Sequence, residues 1–115
     1  MSGAGNRRKG HSFERKIAQD FREAGFHDAK TKREARGGDW SQTDDGVDLV
    51  DTGKWAVQVK CMKDYCPVST IEEIHCDSPM SPFVITSADR KPVMAILPWE
   101  VLKDLIRNDQ ATRKN

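Results

Sequence analysis

The sequence predicts an α/β domain in which one mixed β-sheet is flanked by helices, in the order α-β-β-β-α-β-β-α. Three observations predict it. Apolar residues recur at helical spacing near both ends, and short apolar runs separated by Gly, Asp and Pro fill the middle. A chain of 115 residues is also long enough for one core and too short for two. Residues 1–10 read as a flexible basic arm, 11–108 as the folded domain and 109–115 as a polar tail.

From Ser12, a plausible N-cap, Phe13, Ile17, Ala18, Phe21 and Ala24 follow a helical period, and Gly25 stops the helix. Lys30 to Ala35 reads as a first strand, and the Gly- and Asp-rich segment from Arg36 to Gly46 as a loop. Val47 to Val50 and Trp55 to Cys61 form a predicted hairpin about Asp51, Thr52 and Gly53. Ser69 and Glu72 match a capping box for a short helix reaching about Cys76. Phe83 to Ser87 and Val93 to Leu97 are a second strand pair. Pro98 suits the first position of a last helix, with Val101, Leu102, Leu105 and Ile106 as its stripe.

Composition excludes several classes. No apolar run approaches the roughly 20 residues of a membrane span, and Met1 to Gly10 lacks the apolar stretch of a secretory signal, so a cytoplasmic location is expected. Three cysteines, an odd number, argue against a disulfide framework. Cys61, Cys66, His75 and Cys76 match no common zinc spacing, and ordinary reduced cysteines are expected. The net charge is only +1, but it is unevenly spread. Through Arg36 there are ten Lys and Arg against five Asp and Glu; from Asp39 to Asp51 there are five Asp and no basic residue. Such a split suits a protein that grips phosphates with one region and divalent cations with another. On charge alone, a solvated surface with a disordered tail is the simpler account.

Two features carry chemistry. Glu14 falls inside the apolar stripe of the first helix, where a carboxylate needs a cation or donors unless it lies at the stripe's edge and reaches water. In Trp55 to Cys61, alternation puts Ala56, Gln58 and Lys60 on one face of a strand apolar enough to be central. A three-residue turn ending at Gly53 pairs Asp48 with Ala56 and brings it to that face; a two-residue turn sends it to the other. An acid, an amide and an amine then converge. Carboxylates beside a lysine can hold Mg²⁺ and activate water, as phosphodiester cleavage requires. A buried Asp48–Lys60 salt bridge is the competing structural explanation.

The motif GVDLV followed by WAVQVK resembles the core of the PD-(D/E)XK nucleases, in which an Asp precedes a hairpin and an acid-x-Lys tripeptide follows. Gly10, Phe13, Glu14 and Arg15 upstream are similar to the equivalent helix of archaeal and phage Holliday junction resolvases. The likeness covers about residues 10–106. It implies a restriction-endonuclease-like fold, and a Mg²⁺-dependent endonuclease (with Mn²⁺ able to substitute) that cuts branched DNA to leave a 5′-phosphate and a 3′-hydroxyl. It also implies a homodimer, for which Trp99, Met94 and Phe83 are candidate apolar contacts. Glu14, Asp48 and Gln58 would be metal ligands, joined by the Val59 carbonyl, and Lys60 the catalytic lysine. Ser41 is a further candidate catalytic residue. Arg7, Arg8, Lys9, Arg15, Lys16, Lys32, Arg33 and Arg36 would contact DNA phosphates. The departure is Gln58, which stands where the pattern has an acid; Asp39, Asp44 and Asp45 are candidates for the missing charge. Another DNA substrate, or DNA binding without cleavage, are the alternatives.

Overall fold

The computed structural model describes residues 3–35 and 45–113, with side chains from Lys9 onward. The chain is mixed α/β, as predicted, but its strands form two small sheets rather than one. The elements are α1 (Gly3–Glu23), β1 (Lys30–Thr31), α2 (Lys32–Ala35), β2 (Leu49–Val50), β3 (Trp55–Cys61), a 3₁₀ helix (Val68–Glu73), β4 (Ser81–Ser87), β5 (Met94–Ile96) and α3 (Trp99–Arg113). Strands β1 and β2 pair antiparallel. In the other sheet β3 runs parallel to β4, and β4 pairs antiparallel with β5.

Helix α1 packs Phe13, Ile17, Ala18 and Phe21 on one side of β3, against Val57, Val59, Leu49 and the rings of Trp55 and Phe83. A second cluster on the opposite side joins Ala56, Val84, Cys66 and Ile74, with Ile71 of the 3₁₀ helix packed on it. Strand β3 is therefore covered on both faces, which explains its apolar sequence. It is nevertheless an outer strand of its sheet. An apolar run reports burial of the two faces and says nothing of the hydrogen-bonding edges.

Several boundaries differ from the expected ones. Helix α1 begins at Gly3, not Ser12, and so includes most of the expected flexible arm. The arm lacks an apolar stripe, but Ala4, Arg7, Arg8 and Lys9 favour helix, and extending a helix already anchored by its core-facing turns costs little. Ala24 is exposed rather than part of the stripe. The first strand stops after Thr31 because a capping box starts α2 there: Thr31 N–H donates to Glu34 Oε1 (2.9 Å) and Glu34 N–H to Thr31 Oγ1 (3.0 Å). That backbone bond from Thr31 is the main reason the Glu34 carboxyl sits below its usual range. The expected box at Ser69 does not form. Pro67 occupies the cap without a side-chain bond, and the helix is 3₁₀, ending at Glu73 rather than near Cys76.

Strand β4 starts two residues early and runs through Pro82. The missing N–H is tolerated because β5 pairs only with Val84 to Thr86, leaving Pro82 with β3 alone. Helix α3 continues past Asn108 into the expected tail, where Arg113 reaches Asp109 (2.9 Å) and Thr112 caps the Asn108 carbonyl (2.9 Å). Its stripe is largely unpartnered: Trp99 is 61% and Ile106 52% exposed, and Leu102, Leu105 and nearby Met94 are exposed too. Phe83, by contrast, belongs to the core. No described helix is long and apolar enough to cross a membrane.

Candidate active site

Of the groups singled out from sequence, Asp48 lies on the free edge of β3, Glu14 on the α1 side of that strand, and Gln58 and Lys60 on the opposite side. The expected hairpin does not form a ladder; instead Asp48 alone docks on that edge. Its N–H donates to the Val57 carbonyl (2.8 Å), and Val59 N–H donates to its Oδ2 (2.7 Å). The carboxylate thus takes the place a neighbouring strand's carbonyl would fill. Asp48 faces Val57, not Ala56, so the three-residue register is not adopted. The choice between two faces dissolves, because its carboxylate lies along the strand's edge. Since N–H and C=O of one strand residue point to the same side, the Val59 carbonyl is turned toward that edge as well.

Glu14 approaches from the α1 side. Burial, then the Asp48 charge, push its carboxyl up to about 7, with Arg33 and Arg15 opposing. Burial also raises the Asp48 carboxyl, against the Val59 N–H, Lys60 and Lys32. Gln58 and Lys60 project to the other side of β3, where both meet one residue that sequence reasoning missed. Gln58 Nε2 donates to Glu73 Oε1 (3.1 Å), and Lys60 Nζ lies 3.4 Å from the same oxygen. Those contacts, the Gln58 amide first and Lys60 second, hold the Glu73 carboxyl below its usual range. Glu73 carried no sequence signal of its own; only the tertiary path of the 3₁₀ helix brings it here.

Gly46 makes that path possible. It adopts φ +75°, and a Cβ on it would stand 2.2 Å from the Glu73 carbonyl oxygen. The contact is sealed by His75 N–H donating to the Asp45 carbonyl (2.8 Å). Asp45, one of the candidates for the missing charge, is committed elsewhere: it pairs with Lys32 and accepts from Val47 N–H. Burial opposes its ionisation, but Lys32 and these backbone donors outweigh that and lower its carboxyl. Asp39 and Asp44, like Ser41 and Arg36, lie outside the described residues.

Among the described residues no three His, Cys, Asp or Glu side chains stand together as a metal-binding group. A cation would need mixed donors, and the site offers a fitting one. Gln58 is 6% exposed, and its Oε1 is buried with no hydrogen-bond partner. An orphaned acceptor in a core costs free energy unless something fills its lone pairs. With burial, then the Asp48 charge, raising Glu14, and burial raising Asp48, the residues fit a divalent cation. The cysteines do not: Cys66 is in the core, all three are free thiols, and His75 is exposed.

Of the expected phosphate-contacting residues, Lys9, Arg15 and Lys16 are exposed on α1. Lys9 pairs with Asp89 (3.2 Å) and Lys16 with Asp20 (3.8 Å), exposed pairs of the kind that hold a side chain only weakly. Lys32 is held by Asp45, and Arg33 lies near Glu14. The side chains of Arg7 and Arg8 are outside the described set.

The raised Glu14 carboxyl has a measurable consequence. Between its ordinary 4.5 and about 7, the folded protein retains a proton that the unfolded chain has lost. Stability of the metal-free protein should therefore fall as pH rises through that window, with Asp48 adding the same sign. Glu14→Gln should flatten the fall in a series of thermal melts in EDTA; a variant curve parallel to wild type would count against a near-neutral Glu14.

No protein-family model matches the chain, and no curated protein or solved structure matches it.

Proposed function

We propose that this protein is a Mg²⁺-dependent endodeoxyribonuclease of the PD-(D/E)XK kind, acting on branched DNA such as four-way junctions. The observation that carries this reading is Asp48, held on the free edge of β3 by Val59 N–H, in electrostatic contact with Glu14 on the α1 side of the strand and with Lys60 on the other. Glu14, Asp48, the Gln58 amide oxygen and the Val59 carbonyl would hold the metal. When bound, Mg²⁺ supplies charge neutralisation at the phosphate and acidifies water.

The chain's own residues do the rest. Val59 N–H holds the Asp48 carboxylate in place, and with one oxygen committed to the backbone the other is left for a cation. Lys60 presents an ammonium beside the site, where it can orient the attacking water or stabilise the departing oxygen. The exposed bases of α1 sit on the same helix as Glu14, so DNA gripped through its phosphates is delivered to the carboxylates.

The test is incubation with labelled four-way junction, flap and linear duplex, in Mg²⁺ or EDTA. Paired nicks near the branch point support the proposal, and preferential cutting of another substrate narrows it to a related nuclease. Binding without cutting in Mg²⁺ or Mn²⁺ would favour the second reading, a DNA-binding module without cleavage, for which the neutral Gln58 and the Lys60–Glu73 pair speak. Gln58→Glu is expected to retain or raise cutting. Loss of cutting with an intact fold would argue against Gln58 as a metal donor.

Symmetric cutting of a four-way junction requires two active sites, and thus a second copy of the chain. The exposed apolar residues of α3, with Met94, are the surface proposed for it. Sedimentation should show a dimer that Ile106→Glu converts to monomer; a wild-type monomer at high concentration would remove the homodimer.

A further inference from the structure

Position 58 carries an amide where a metal site built on this strand would have a carboxylate, and the amide is not alone. Glu73, from an element distant in sequence, places Oε1 against Gln58 Nε2 and within 3.4 Å of Lys60 Nζ. Both contacts go to Oε1, so Glu73 Oε2 takes part in neither. The hydrogen bond to Glu73 also fixes which way the Gln58 amide faces. With Nε2 spent on the carboxylate, Oε1 is the atom left buried without a donor. A buried carbonyl-type oxygen without a donor, attached to a group that touches a half-exposed carboxylate, matches what a hard cation seeks: oxygen ligands, at least one of them charged.

We propose that Glu73 is the second acidic group of the cation site, supplying from the 3₁₀ helix the charge that Gln58 lacks on β3. It would take a divalent cation together with Asp48, with the Gln58 amide oxygen as a neutral donor. The inference rests on the metal-dependent reading above and goes beyond it by naming the acid. Asp45, the described candidate among those named from sequence, fares less well, since it is consumed by Lys32 and the Val47 N–H. Gly46 ties the arrangement together, since only a residue without a side chain lets the Glu73 backbone come this close.

The experiment is Mn²⁺ titration of the full chain by calorimetry, read beside cutting of labelled junction DNA. Glu73→Gln keeps an oxygen for Gln58 but removes the charge, and is expected to weaken Mn²⁺ binding by about tenfold or more. Glu72→Gln, an exposed neighbour on the same turn, should bind as wild type. The double variant Gln58→Glu with Glu73→Gln returns the charge to the strand and should recover the lost affinity. If Glu73→Gln binds like wild type while Asp48→Asn is weakened, Glu73 merely anchors Lys60; this inference falls and the metal-dependent reading stands. If Glu73→Gln is weakened but the double variant is not restored, Glu73 does not stand in for position 58, and the inference falls. If the wild-type protein itself binds no Mn²⁺, both fall together.

Discussion

Lys60→Ala is expected to lower cutting of junction DNA by about 10²- to 10⁴-fold, the range for losing a positioned proton donor or acceptor. Binding to the same junction in EDTA should be spared, because one ammonium beside the edge of β3 is a small part of a phosphate grip spread along α1. The fold should also be spared. The contact with Glu73 is half-exposed on both sides, and such pairs contribute little to stability. The three readouts therefore separate catalysis, binding and folding in one variant. Unchanged cutting would remove the lysine from the mechanism, while equal loss of binding would make it a DNA contact only.

Gly46→Ala should cost more stability than the same substitution at Gly10, Gly25 or Gly53. A side chain at φ +75° is strained in itself, at about 1–2 kcal/mol. The added Cβ also falls 2.2 Å from the Glu73 carbonyl oxygen, so backbone must move, at about 1–3 kcal/mol more. A combined loss of about 2–5 kcal/mol corresponds to a Tm lower by at least about 8 °C for a domain of this size. Gly10→Ala is the matched control, since a Cβ there meets nothing within 4 Å. If both variants melt alike, the close approach of the 3₁₀ helix to residue 46 is wrong, and the placement of Glu73 weakens with it.

How far the sequence was legible depends on whether a signal was local. Periodicity found the core-facing stripe of α1 correctly, because Phe13, Ile17 and Phe21 must share one side whatever they pack against. It missed the helix's first residues because a solvated extension has no stripe to detect. Of three S/T-x-x-E matches, at Thr31, Ser69 and Thr70, the box forms at Thr31 and not at Ser69; the sequence around them does not say which backbone is free to turn. Lys60 and Gln58 were readable as side chains sharing a strand face, since alternation is built into strand geometry.

The amino-acid sequence by itself determined the α/β class, the apolar strand β3, and the presence of an acid, an amide and a lysine within a short stretch. It did so because helix and strand periods act over a few residues. Only the tertiary structure decided that β3 is an outer strand whose edge receives Asp48, that Asp45 is occupied by Lys32, and that Glu73 reaches Gln58 and Lys60. Those outcomes depend on how elements far apart in the chain satisfy one another's backbone donors, acceptors and charges, which no local pattern encodes.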